Sequence, residues 1–456
     1  MKRDFFGLRK KGKAYQKRML AVAVPVTLQF CISISLNLVD SLMIGRLGVY
    51  PMAAVGAANE IWYLLGVTTY GLCSGAGVYI AQYWGAGDIP KIRKVVGISY
   101  CGAGGFVTAA TVLIWFLAPK LIWIFSREPE IIQMGTAYIR IVCLSYPITC
   151  IADVVSYASR AIQKLSAVTV IFATAILCNV VLNYGMIYGK LGMPRWGIEG
   201  AAIATLIARV VECVGFFVYV YVSNNHPLAA KPAELLSFSR QEVTEVLRVS
   251  LPVMASEGGW SLANSLYYVA YGMIGPAALA GAQVVVLVGK IVQSVFGGLA
   301  NAAGVLIGET LGRGERDEAQ SDGLIFVKLF TVIGIGFTVL MFASGDLVAG
   351  WYHFDADATA AVSAGIHVFS AFIMVKMLGY LCVCGILRAG GDTRFCMFVD
   401  LGTSWLIAVP AVFAAVMLFH VSLPAAIACV YCSEIVKAAL CLRRFRSGRW
   451  IKVDVS

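Results

Sequence analysis

Apolar residues fall into twelve long runs along the chain, each ended by glycine, proline or charge. The runs cover roughly 18–46, 52–83, 95–117, 131–160, 166–189, 197–222, 246–273, 279–311, 323–348, 360–388, 395–418 and 423–442. About 20 residues of α-helix cross a hydrocarbon layer about 30 Å thick, so each run predicts one transmembrane helix. The breaks read GAGDIPKIRK (85–94), GKLGMPRWG (189–197), GRGERDEAQ (312–320) and RAGGDTR (388–394), which are turn sequences. The predicted fold class is an all-α polytopic membrane protein with twelve transmembrane helices.

The pattern also repeats. Pro25 recurs as Pro252, and at the same offset of 227 residues Asn37 meets Asn264, Gly45 meets Gly272, Gly71 meets Gly298 and Gly77-Val78 meets Gly304-Val305. One insertion later Arg160-Ala161 aligns with Arg388-Ala389. With six helices per half, the two repeats share one orientation, which predicts two pseudo-symmetric six-helix bundles with a central cleft. The expected segments are a basic tail (1–17), an N-lobe (18–222), a linker (223–245), a C-lobe (246–442) and a second basic tail (443–456).

Composition agrees with the pattern: 59% of residues are hydrophobic and 13% charged, against about 25% charged in soluble domains. The net charge of +11 would fit nucleic acid, but its placement argues for topology. The N-terminal tail, Lys91/Arg93/Lys94, Arg160/Lys164, Lys231/Arg240, Arg313/Arg316, Arg388/Arg394 and RRFRSGRWIK all fall on one predicted side. The other side holds little beyond Lys120, Arg127, Lys190 and Arg195. Both termini are therefore expected in the cytoplasm. The first apolar run continues through Ile44 and reads as a retained helix rather than a signal peptide. The 13 cysteines are scattered without metal-ligand spacing, there are four histidines, and there is no Walker A motif. These features predict no cofactor, no enzymatic activity and no ATP hydrolysis.

Asp40 is the only charged residue between Met19 and Gly45. A charge at the centre of a spanning helix costs about 2.5–3.5 kcal/mol on insertion scales, so this carboxylate must be paired, hydrogen-bonded or protonated part of the time. One reading is a fixed structural carboxylate; the other is a group that cycles a proton and thereby biases two bundle packings. Asn179 and Asn183 lie four apart on one helical face and suit such a group, or else bond helix to helix. Asn37 and Ser33 lie three and seven residues before Asp40 on roughly the same face. In LPVMASEGGW, Glu257 precedes two glycines that open the backbone, and Lys376 is a candidate ion-pair partner for it. Lys290, Asp153, Glu212 and Asp400 read as lying near helix ends or locally paired, and Glu309, Asp392 and Glu434 as structural. Tyr146, Phe172, Trp260, Tyr267, Tyr271 and Phe369 are candidate substrate-lining rings, since aromatic faces attract organic cations by about 0.5–2 kcal/mol each, and Asn37 and Lys376 are candidate substrate-binding residues beside them; the alternative is ordinary helix packing.

The runs NLVDSLMIGRLGVYPMAAVG (37–56), NVVLNYGMIYGKLGMPRWGIEGAAIAT (179–205) and GILRAGGDTR (385–394) resemble the multidrug and toxic compound extrusion (MATE) family. The resemblance implies a two-lobe antiporter of the bacterial plasma (inner) membrane that exports organic cations and other amphipathic compounds against H⁺ or Na⁺. It also implies that Asp40 binds the coupling cation, with Asn179 and Thr205 as polar neighbours. Asn183 falls where some members carry a second aspartate; one carboxylate with two amides is a weak Na⁺ cage, which leans towards H⁺. Glu257 matches an acidic position of other members' C-lobes, where a tenth-helix carboxylate is often its partner; Lys376 stands on that helix here. Na⁺ at Asp40 or Glu257 is the alternative coupling. The expected partners are small amphipathic, cationic substrates and the lipid bilayer, with a functional monomer. Two competing readings are a flippase for lipid-linked saccharides, whose cleft would be strongly cationic, and a receptor on the same scaffold, which would need a soluble output domain.

Overall fold

A computed structural model of the chain describes residues 8–222, 226–351, 356–453 and 455. The first seven residues of the N-terminal tail, 223–225 of the linker, and 454 and 456 of the C-terminal tail lie outside the described residues. The helices follow the apolar runs: α1 Leu8–Gly45, α2 Val49–Ala86, α3 Ile89–Phe125, α4 in two segments (Pro129–Val142 and Ser145–Ala161), α5 Ser166–Tyr188, α6 Gly197–Val222, α7 Arg240–Ile274, α8 Pro276–Gly312, α9 Arg316–Gly350, α10 Thr359–Leu387, α11 Thr393–Phe419 and α12 Leu423–Arg446. Among the described residues ten of these are long and apolar enough to cross a membrane, and α4 makes eleven as a bent pair. α7 is as long, but opens with Arg240, Glu242, Glu245 and Arg248. The twelve-helix, two-lobe layout fits this structure.

One run departs from a single helix. α4 bends by 46° between its segments. Pro147 is the third residue of the second segment; it lacks the N–H that would bond residue 143, and its ring crowds that carbonyl, so the helix breaks there.

The chain gathers into two compact units, residues 28–250 and residues 1–27 with 251–456, so both boundaries fall inside helices, α1 and α7. In the first unit α5 packs along α6, and α2 packs against both segments of α4. The linker closes on α3: Gly97 lies so near the Leu235 carbonyl that a Cβ would overlap it, while Arg93 bonds the Pro227 carbonyl (3.2 Å) and Glu234 (3.1 Å). In the second unit α10 packs against α8, α9 and α12. Its C-terminal tail folds back on the α10–α11 turn: the Lys452 and Val453 amides donate to the Gly390 carbonyl (2.7 and 3.0 Å). Trp450, fully buried, donates its indole N–H to Gln320 (2.7 Å). Gly390 has no room for a side chain against this tryptophan.

Candidate cation site

α1, α5 and α6 bring Asp40, Asn179, Asn183 and Thr205 together within the first unit. The 3.6-residue period sets Asn179 and Asn183 one turn apart on α5, and both are buried. Asn183 donates its amide to Asp40 Oδ1 (2.8 Å) and to Asn179 Oδ1 (3.1 Å). Asn179 in turn donates to the Thr205 hydroxyl (3.4 Å), which donates to the Ala201 carbonyl (3.0 Å). The register of α1 against α5 is held by the Tyr188 hydroxyl, which donates to the Met43 carbonyl (2.8 Å). Both amide hydrogens of Asn183 are used, yet its Oδ1 is buried without a hydrogen-bond partner. A buried acceptor left so costs about 1–3 kcal/mol, so the site is built to receive one more donor or a cation. Among the described residues no three His, Cys, Asp or Glu side chains gather as a metal cage.

Two groups beside Asp40 were not foreseen. Arg209 on α6 and Tyr138 on α4 both interact electrostatically with Asp40. The signal for Arg209 was in the sequence: Thr205, Arg209 and Glu212 follow i, i+4, i+7 spacing on one helical face. Arg209 also pairs with the buried Glu212 at 2.6 Å, the local pairing expected for Glu212.

Glu257 stands in the other unit, and the Lys376 pairing expected for it is corrected by the structure. Arg388 supplies the cation, at 2.9 Å. Lys376 lies twelve residues earlier on α10, about three turns away, and its ammonium sits over the rings of Tyr431 and Phe369, 5.0 and 5.6 Å from their centroids. Asp400, expected near a helix end or locally paired, is bonded across helices. It accepts from Ser256 (2.7 Å) and pairs with Lys437 (3.0 Å), which also pairs with Glu434 (3.0 Å).

The substrate-lining candidates divide by exposure. Asn37 is exposed, and Phe172 and Trp260 are half-buried. Tyr146, Tyr267, Tyr271 and Phe369 are buried; Tyr146 stacks on Trp62 (4.4 Å), Tyr271 packs edge-on to Tyr268 (6.3 Å), and Phe369 packs on Tyr431 (5.6 Å).

The MatE family profile matches residues 25–185 and 253–414. "Multidrug resistance protein PmpM" of Pseudomonas aeruginosa is 25% identical over 403 residues, covering 87% of this chain and 83% of that protein. "Probable multidrug resistance protein NorM" of Thermotoga maritima is 24% identical over 444 residues, covering 96% and 93%. Among solved structures, a MATE crystal structure in the bent conformation superposes with a TM-score of 0.88 at 17% identity, covering 95% of this chain and 96% of that one. A MOP superfamily transporter from Pyrococcus furiosus, described as having a binding pocket of reverse polarity that suggests a different function, gives 0.87 at 18% identity, covering 96% and 97%. Likeness at this identity carries the fold.

Proposed function

Since this chain belongs to the MatE family, with matched residues in both halves, we propose that it is a multidrug efflux transporter of the bacterial inner membrane that exchanges small amphipathic cations for protons by alternating access. It is a carrier rather than an enzyme, and both termini face the cytoplasm. The observation that carries the coupling is the buried Asn183 Oδ1 without a donor, in the residue that also bonds Asp40. Protonation of Asp40 supplies one O–H, and the amide pair offers both donors and acceptors to the carboxyl in either protonation state. A sodium ion would meet a single carboxylate charge, and of the two amide oxygens that of Asn179 is already engaged by Asn183, whereas a proton needs only the one carboxylate. Asn37, exposed one turn from Asp40 on α1, is the proposed first contact for the cationic end of a substrate.

Efflux of a fluorescent organic cation such as ethidium from proteoliposomes, under imposed ΔpH or ΔNa⁺, tests this reading. The expected result is transport driven by ΔpH alone in the native chain and lost in Asp40→Asn. Drive by ΔNa⁺, or an Asp40→Asn variant that still couples, overturns it.

A further inference from the structure

The carboxylates of the two units differ in how completely they are neutralised from within. In residues 28–250, Asp40, Asp153 and Glu212 share two guanidiniums. Arg209 pairs with Glu212 at 2.6 Å and interacts with both Asp40 and Asp153. Arg160 donates to the buried Gln29 (3.1 Å), lies over the ring of Tyr157 (4.8 Å) and interacts with Asp153. Among the described residues the cluster thus holds three carboxylates and two cations. Tyr138, Cys73, Cys150 and Tyr157 also face it; phenols and thiols are neutral at pH 7 by their ordinary chemistry and do not enter the count.

The cluster of the other unit balances. Glu257, Asp400 and Glu434 meet Arg388, Lys437 and Lys376: Arg388 pairs with Glu257, and Lys437 with Asp400 and Glu434. Lys376, held over aromatic rings, interacts with Glu434. Three negative charges face three positive ones, so no ion is needed from outside.

Arg160 and Glu212 are buried and Asp40, Asp153 and Arg209 half-buried; a net charge withdrawn even partly from water is costly, and the remedy is to take up a counter-charge. We infer that the N-terminal unit holds its coupling proton on the five-residue cluster of Asp40, Asp153, Glu212, Arg160 and Arg209 as a whole, one proton per cycle, and that the C-terminal unit takes up no coupling ion. The buried Asn183 acceptor marks the Asp40 end as one place where that proton resides; Asp153, which also interacts with Arg209, is the second. The proton belongs to the coupled set rather than to either residue. A monovalent organic cation entering beside Asp40 replaces the proton charge for charge, so the exchange moves no net charge and is indifferent to membrane potential. This inference rests on the proton-exchange reading above.

The test counts protons released when the full-length chain, purified in detergent and weakly buffered at pH 7.5, binds ethidium, with a pH-indicator dye reporting release and ethidium fluorescence reporting binding. The native chain is expected to release one proton per ethidium. Glu212→Gln leaves two carboxylates with two guanidiniums and should bind ethidium with almost no release; Asp153→Asn makes the same change of charge elsewhere and should behave alike. The double variant Arg209→Gln/Glu212→Gln restores a surplus of one carboxylate and should recover one proton, a rescue that a merely structural pair would not give. Asp400→Asn/Lys437→Gln in the C-terminal unit should leave the number at one. No release from the native chain overturns proton exchange itself. One proton from the native chain and still one from Glu212→Gln and Asp153→Asn overturns the shared cluster alone, as does a double variant that binds without release.

Discussion

At the scale of single residues, Asn183 is the pivot of the site. It donates to Asp40 and Asn179 and keeps a bare, buried carbonyl oxygen. Asn183→Leu removes the donor to Asp40, and hydrogen bonds to charged groups are worth about 1.5–3 kcal/mol. ΔpH-driven efflux should fall by roughly ten- to a hundred-fold while the protein still folds, measured as initial rates in proteoliposomes. His226 shows the same physics outside the membrane. It is buried in the linker, its Nδ1 accepts from the Leu228 amide (3.3 Å), and its ring packs edge-on to Tyr219 (4.9 Å). Burial, and then the nearby Lys164 ammonium, push its pKa down to about 4. The unfolded chain takes up this proton near the ordinary value of about 6.5, so its neutral packing stabilises fully above that pH. That contribution is lost progressively as pH falls towards 4. The thermal midpoint in detergent should drop between pH 7.5 and pH 5, and His226→Phe should narrow the drop.

At the scale of elements, among the described residues three helices widen into π-helical turns, one in α3 over Tyr100–Gly104 and two beside charged residues. α10 widens into a π-helical turn over Leu381–Leu387, immediately before Arg388, and α11 does so over Gly402–Ala408, just after Asp400. Such turns shift side chains around the helix and recur at functional sites. Close approach depends on glycine at two joints. Gly97→Val would drive a side chain into the Leu235 carbonyl; overpacking of this kind costs about 1–3 kcal/mol, to be read as a lowered melting temperature and faster proteolysis within the linker. Trp450→Ala empties the site between Gln320, Phe445 and Gly390. Trp→Ala in a core costs about 3–5 kcal/mol, and the same melting experiment checks it. The apolar runs located nearly all these helices, because a hydrocarbon solvent demands long apolar stretches. They did not separate the two segments of α4, since a proline is tolerated in many spanning helices and its effect depends on the neighbours that satisfy the freed carbonyl.

At the scale of the whole molecule, the repeat at an offset of 227 residues and the profile match in both halves describe one six-helix plan used twice. The two copies carry different charge arrangements, with Asp40, Asp153 and Glu212 in one and the balanced set around Lys437 in the other. The proposed orientation, with both termini in the cytoplasm, is testable directly: a C-terminal green fluorescent protein fusion should fluoresce and a C-terminal alkaline phosphatase fusion should be inactive. Active phosphatase would reverse the topology.

Several helices run past their apolar stretch, as Ile89–Phe125 does around 95–117, whereas the number and order of the apolar runs, the internal repeat and the isolation of Asp40 were determined by the sequence itself. Each is a property of spacing along one dimension: how many apolar residues separate two turns, and what interrupts them. The partners of the buried charges were decided only in three dimensions. Arg388 meets Glu257 while Lys376 rests on aromatic rings, although both lie on α10. Asp400 finds a lysine 37 residues away. Which long side chain reaches which carboxylate depends on the rotation and height of each helix in its bundle. Those are set by the packing of all its neighbours together, which no local spacing encodes.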